Sequence, residues 1–255
     1  LDRSSAASDV YKRQIMNSVK KLEDNYAEIE SILGYTFDKK YLLMHAFTHR
    51  SFFHEHRDLL QEHNERLEFL GDAVLTVIIS AYLFKTFPST QEGELSQWRA
   101  QIVNAKTCSL FTQKMKLEKF LLISKGKLQS FNEGKSSLLG DLFEAILGAI
   151  YLDGGLDPAQ KFIFLHFSQE IETIVQCPMR NWKAELQDYT QKLFHSVPTY
   201  IVEKEEGPDH EKSFYVTVWI QKQMVGEGMG SSKKEAQMTA AKNALLQISQ
   251  EERNG

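Results

Sequence analysis

Cysteine is nearly absent from this 255-residue chain: Cys108 and Cys177 stand far apart and form no C-x-x-C pair. That excludes a disulfide scaffold and a cysteine-rich zinc site, and it points to a reducing, cytoplasmic location. Proline is scarce at five residues and glycine reaches only fourteen, so a collagen-like or low-complexity chain is excluded. An excess of one charge is missing as well. Thirty Lys and Arg face thirty-four Asp and Glu, a formal charge of −4, so a polyanion must be met by a local basic patch. The longest unbroken apolar run, 73–84, falls short of the roughly 18 to 20 residues of a membrane span. No apolar stretch near the N-terminus reads as a signal peptide, so no membrane partner is expected. What is present is an ordinary globular composition, 42% hydrophobic and 25% charged, long enough for one large domain or two of usual size.

From Leu22 to about Gln176, Leu, Ile, Ala and Phe recur at helical spacing, with breaks at Gly34, Pro88, Gly126, Gly134 and Gly154-Gly155. This stretch is expected to be nearly all helix, with Asp38 capping a helix over 39–48. After Cys177-Pro178 the pattern changes to a short amphipathic helix over 183–193, strands over 199–204, 213–221 and 223–227, and a helix over 232–248. Phe214, Val216, Val218 and Ile220 alternate onto one strand face. The fold class is therefore α+β. The first methionine is Met16, so residues 1–15 read as an addition to the natural chain and 1–21 as an extension outside the fold. A helical domain over 22–176, a linker over 177–181, a small α-β-β-β-α domain over 182–249 with its helices on one sheet face, and a tail over 250–255 follow.

The segment 64–87 reads NERLEFLGDAVLTVIISAYLFKTF, about six helical turns and apolar nearly all round after Gly71, which places it in a core. Within it Glu65, Glu68 and Asp72 stand at i, i+3 and i+7, a single stripe at about 100° per residue. A second apolar helix, 138–152, carries Asp141 and Glu144 between Gly140 and Gly148, glycines that let another helix approach closely. Burying a carboxylate costs on the order of several kcal/mol unless it is protonated, paired or bound to a cation. Neither stripe holds a Lys, and Arg66 turns away from the acidic face. Capping or pairing with distant Arg residues explains one such helix, less readily both. Oxygen donors without His or Cys suit Mg²⁺. A di-iron bundle would need Glu-x-x-His pairs, and none occurs. His45 and His49 have the spacing of a zinc pair but no H-E-x-x-H surrounds them, so a packing or hydrogen-bonding role is expected.

These residues also carry a resemblance. The run HNERLEFLGDA over 63–73 is similar to the signature of bacterial ribonuclease III, and Thr48-His49-Arg50-Ser51 is similar to the short motif before it. Glu92-Gly93-Glu94-Leu95-Ser96 with Arg99-Ala100, and Gly140-Asp141-Leu142-Phe143-Glu144-Ala145, resemble two further motifs in the same order. The resemblance implies a helical endonuclease domain that hydrolyses double-stranded RNA, such as rRNA precursors and other structured RNA. The nucleophile would be a metal-activated water and the products would carry 5′-phosphate and 3′-hydroxyl ends. It implies Mg²⁺, with Mn²⁺ as a substitute, held by Glu68, Asp72, Asp141 and Glu144, with Asp72 and Glu144 as the catalytic pair least tolerant of change. Glu65 and Glu92 match auxiliary positions near the cleavage site, against the plainer reading of solvated carboxylates. Phe69 matches a position that the family buries in a partner subunit, against burial in the chain's own core. A duplex has two strands to cut, so a two-fold homodimer with one site per subunit and short 3′ overhangs is expected.

The glycines of Gly226-Glu227-Gly228-Met229-Gly230 lie outside any βαβ unit and make no dinucleotide fingerprint. Ser232-x-x-Glu235 is a capping box, and Lys233 and Lys234 in the first turn oppose the helix dipole unless an anion rests there. Phosphate is the expected anion, a plain solvated helix start the alternative. The element order and this turn resemble the double-stranded RNA-binding domain, which reads A-form shape rather than sequence. By that resemblance Gln187, His210, Ser231, Ser232, Lys233 and Lys234 contact RNA. Asn181-Trp182-Lys183-Ala184 departs from the family pattern, and Glu203, Glu205, Glu206, Asp209 and Glu211 crowd the first loop, so modest affinity is expected of this domain alone. A module that holds duplex RNA without cutting it would be expected to have lost one of the four acidic positions; all are filled, which favours the endoribonuclease.

Overall fold

Helical periodicity in the first two thirds of the chain becomes helices and little else. The computed structural model describes residues 15–124, 126–127, 131–176, 181–208 and 212–254, and the chain divides into two units between residues 178 and 179. The first unit runs through α1 (15–24), α2 (Tyr26–Leu33), α3 (Lys40–Ala46), α4 (Arg50–Glu55), α5 (Glu65–Thr86), α6 (Glu92–Ile102) and α7 (Ala105–Met115). A 3-10 turn (Leu117–Phe120), α8 (Phe131–Gly154) and α9 (Leu156–Gln176) complete it. Leu139, Leu142, Phe143, Ile146, Leu147 and Ile150 of α8 are all fully buried, so this helix is the axis of the core. At roughly 1.5–3 kcal/mol for each large apolar side chain removed from water, it is the main source of the unit's stability. Phe111, Phe143, Phe162 and Phe167 close one end with ring centroids 4.0–6.0 Å apart.

Several expectations need correction. The fold starts before residue 22: Ile15 is buried and Val19 packs against the core, because α1 supplies an apolar stripe of its own. Asp38 does not cap α3. The Asp153 carboxylate, from the end of α8, accepts hydrogen bonds from the Asp38 and Lys39 amides at 2.9 Å and from the Tyr35 hydroxyl at 2.8 Å. Gly134 lies inside α8, which begins at Phe131 rather than near Leu138. Nor is α5 buried on all sides: Leu67, Val74, Leu75, Ile78, Ile79 and Leu83 face the core while Phe69, Val77 and Phe84 face water. With a mean hydropathy of 1.8 over 18 residues, α5 is the one helix among the described residues apolar and long enough to cross a membrane. Its buried face packs against α8.

The second unit follows the expected order: α10 (Trp182–Phe194), β1 (Thr199–Glu206), β2 (Ser213–Ile220), β3 (Gln223–Gly230) and α11 (Lys233–Asn254). The sheet is antiparallel in the order β1-β2-β3, with Val216 opposite Val202 and Gly228. Leu186 of α10 and Ala236, Ala240, Ala241 and Ala244 of α11 cover Phe214, Val216, Val218 and Ile220, so both helices lie on one sheet face. The alternating glycines have a packing reason. A Cβ on Gly228 would sit 2.3 Å from the Ala240 amide nitrogen, so glycine in β3 and alanine in α11 let helix and strand touch through their backbones.

Candidate active site

The first unit's site is built where α5 crosses α8. Gly71 and Gly148 make the crossing: a Cβ on Gly71 would fall 1.8 Å from the carbonyl oxygen of Glu144, and one on Gly148 would fall 2.2 Å from that of Leu67. Backbone contact at this point sets Glu68 and Asp72 of one helix beside Asp141 and Glu144 of the other. The third glycine, Gly140, serves a different neighbour, lying against the Ala105 carbonyl at the start of α7.

The carboxylates register one another electrically. Burial raises the Glu144 carboxyl to about 8, helped by the charges of Asp72, Glu68 and Asp141. Glu68 is raised to about 7, again first by burial and then by Asp141, Glu65 and Asp72, with Arg50 opposing. Asp141 is also raised, by burial ahead of Glu65, against the pull of Arg50. Such a cluster holds protons at neutral pH and gains from a cation that replaces them. The same charges reach Cys108, whose thiol is pushed up by burial first and then by Glu144, Asp72 and Asp141, leaving it unreactive. Among the described residues no three His, Cys, Asp or Glu side chains already stand as a closed ligand set.

A cleft of 330 Å³ opens on Glu68 and Asp141, with Glu65, Asn64, His49, Arg50, Lys127, Ser137 and Leu138 as its other walls, while Asp72 and Glu144 do not line it. The cation beside the acids is the first residue of α4, held in place by the segment before it. His49 N–H donates to the Leu122 carbonyl at 3.0 Å, Leu122 N–H to Phe47 at 2.8 Å and Asn64 N–H to Thr48 at 2.9 Å, which pins this segment against the start of α5. Arg50 then reaches Glu65 at 2.9 Å. Local pairing is thus present after all, supplied from outside the helix, while Arg66 pairs outward with Glu62 at 3.1 Å. His49 accepts from the Ser51 amide at 3.0 Å and caps α4, and burial, followed by the charges of Arg50 and Lys127, lowers it to about 4. His45, on α3, packs edge-on against Tyr41 rather than pairing with His49. Sequence reasoning missed Arg50, Lys127, Asn64 and Ser137. Arg50 had a signal in the Thr48–Ser51 motif, but the others are brought in by tertiary packing.

Other expected site residues lie elsewhere. Glu92 heads α6, accepts from the Ser96 hydroxyl at 2.8 Å and does not line the cleft. Phe69 is 81% exposed, so its own core does not claim it. In the second unit Gln187 is exposed on α10, whose first turn is capped by Asn181 accepting from Ala184 N–H at 3.2 Å. The capping box at α11 is shifted: Ser232 accepts from the Glu235 amide at 3.2 Å, but the Glu235 carboxylate returns to the Ser231 amide at 2.8 Å. Lys233 pairs with Glu205 at 2.5 Å and lies over the Phe214 ring, while Lys234 stands beside it in the same turn. His210 lies outside the described residues. A hollow of 750 Å³ in this unit, between Tyr189, Phe194, Ile220 and Ile248, has no carboxylate on its walls, so size does not mark the reactive place.

Known proteins resemble the chain over both units. A family model described as Ribonuclease-III-like matches residues 39–171, and one described as double-stranded RNA binding motif matches 182–248. A protein named Ribonuclease 3 from Protochlamydia amoebophila is 50% identical over 233 residues, 91% of this chain and 96% of that one. Ribonuclease 3 of Syntrophobacter fumaroxidans is 40% identical over 231 residues, 88% and 95% of the two chains. The crystal structure of the nuclease domain of ribonuclease III from Campylobacter jejuni, 38% identical, superposes with a TM-score of 0.51 over 60% of this chain and 97% of that one.

Proposed function

The chain belongs to the ribonuclease III family, and on that footing we propose how its cleft cuts RNA. It is an endoribonuclease for double-stranded RNA, with a helical nuclease unit followed by a unit that binds the duplex. The binding-only alternative is not favoured, since Glu68, Asp72, Asp141 and Glu144 are all present. The observation that carries the mechanism is the backbone contact of α5 and α8 at Gly71 and Gly148, which brings Glu68 and Asp72 beside Asp141 and Glu144; the upward shift of Glu68 and Glu144 follows from that crowding and from burial.

That donor set fits Mg²⁺, with Mn²⁺ as a substitute. Mg²⁺ keeps several waters and needs only one or two carboxylates together with substrate phosphate, so a closed protein cage is not required. When bound, the ion supplies Lewis acidity that lowers the pKa of water and polarises the phosphoryl group. Glu68, Asp72, Asp141 and Glu144 would hold it, Asp72 and Glu144 being the pair whose loss removes catalysis. Arg50 and Lys127 draw the phosphate chain to the cleft, and Arg50 also fixes Glu65 as an auxiliary carboxylate. Water attack on phosphorus with departure of the 3′-oxygen leaves 5′-phosphate and 3′-hydroxyl ends.

Phe69, Ala73, Val77 and Phe84 form one exposed stripe along α5 and support a homodimer that buries it. Two sites related by a two-fold axis cut both strands and leave short 3′ overhangs. The cytoplasm, reducing and rich in structured RNA, is the proposed location. Purified full-length protein should shorten a long RNA duplex in Mg²⁺, and Glu144→Gln should bind that duplex as tightly as the parent without cutting it. An intact protein inert in both Mg²⁺ and Mn²⁺ would overturn the metal reading.

A further inference from the structure

Asn64 precedes the first turn of α5, where an Asn side chain ordinarily accepts a hydrogen bond from the amide two or three residues on. Here it does not. The residue adopts helical angles, φ −74° and ψ −18°, and its side chain makes no capping bond. The backbone is held on both sides, N–H to Thr48 O at 2.9 Å and C=O from Glu68 N–H at 2.8 Å, so the side chain has little freedom to turn elsewhere. Asn64 is only 1% exposed, and its amide nitrogen has no hydrogen-bond partner within the protein. A buried donor left unpaired is rare in native proteins and calls for an occupant. The cleft that Asn64 lines is where the cleavage reading seats the RNA strand; Arg50 and Lys127 there offset part of the charge of Glu65, Glu68 and Asp141, and a phosphate oxygen is the acceptor that the strand brings to these walls.

We infer that the Asn64 side-chain amide donates a hydrogen bond to a backbone phosphate oxygen of the RNA strand seated in this cleft. The inference rests on the cleavage reading above and adds a neutral donor to it. Asn64 is then a substrate-binding residue rather than a helix cap, and it touches the strand rather than the ion.

The two roles separate by substitution. Asp keeps the shape of Asn and is an equally good cap, but offers an acceptor where the phosphate needs a donor. Single-turnover cleavage of a defined RNA duplex in Mg²⁺ should slow roughly ten- to a hundredfold in both Asn64→Ala and Asn64→Asp, the range for losing a hydrogen bond to a charged group. The Mg²⁺ concentration at half-maximal rate should stay unchanged in Asn64→Ala. Thermal unfolding without Mg²⁺ should show Asn64→Asp folded at the assay temperature. A wild-type rate in Asn64→Asp would make the residue a cap, and a wild-type rate in Asn64→Ala would remove it from the strand; either overturns the inference alone. A shifted Mg²⁺ midpoint in Asn64→Ala would move the contact to the ion and overturn it too. Wild-type protein unable to cut the duplex would instead overturn the cleavage reading, and this inference with it.

Discussion

At the scale of single residues, the raised carboxyls of Glu68 and Glu144 tie stability to pH with a definite sign. A carboxyl whose folded pKa lies above its unfolded value favours folding fully below the unfolded pKa, and loses that contribution as pH rises through the folded one. Between pH 4.5, the ordinary value for Glu, and about 7 to 8, the metal-free protein should therefore lose stability progressively. Mg²⁺ replaces the protons, so the rise in Tm that it causes should be larger at pH 8.5 than at pH 6, with protons released on binding. Thermal unfolding with and without Mg²⁺ across that range checks this; a pH-independent increment would contradict it. Glu144→Gln removes the most strongly raised carboxyl, and should raise Tm at pH 8 in the absence of metal while lowering cleavage on the order of a thousandfold or more. The acidic positions were legible because each pair repeats at helical spacing on an otherwise apolar helix. Asn64 was not, since Asn ahead of a helix reads as a cap, and Lys127 was not, since no local pattern says which distant cleft a lysine borders.

Among the elements, the crossing of α5 and α8 tolerates no side chain at its centre. Gly71→Ala puts a methyl group into the Glu144 carbonyl and should cost roughly 2–4 kcal/mol while abolishing the Mg²⁺-dependent Tm shift, both measurable by thermal unfolding. Asp153→Ala removes the bonds that α3 receives from the end of α8 and should cost roughly 1–3 kcal/mol with the cleft intact, seen as a lowered Tm and a normal Mg²⁺ shift. Helix order and strand order could be read from periodicity. Which residue caps α3 could not, because a carboxylate 115 residues away competes with Asp38, and only the tertiary fold brings it near. Likewise the Gly226–Gly230 run shows in sequence only as unusual, and its reason is the alanine face of α11 laid across it.

For the molecule as a whole, exposed apolar surface and paired charge decide association. Phe69→Glu together with Phe84→Glu should leave each chain folded and shift it to a monomer in sedimentation, with slower duplex cleavage. Lys233 is already paired with Glu205, so RNA displaces a carboxylate there rather than a condensed counterion. Replacing Lys233 and Lys234 together by Ala should reduce the salt dependence of duplex binding by between one and two phosphate contacts, nearer one, in a titration of affinity against salt. Two units and their order were legible from the change of hydrophobic period near residue 178, while the start of the first was not, because the short stripe Ile15, Val19 and Leu22 stands beside the first methionine, where the chain reads as an extension. The glycine crossing has one more result for the intact enzyme. The peptide groups of Leu67 and Glu144, adjoining or carrying the acids, are themselves the surfaces in contact, so heating cannot loosen the acids from one another without parting the helices. Thermal inactivation should accordingly follow the melting of the nuclease unit degree for degree, with no interval in which a folded enzyme has gone silent.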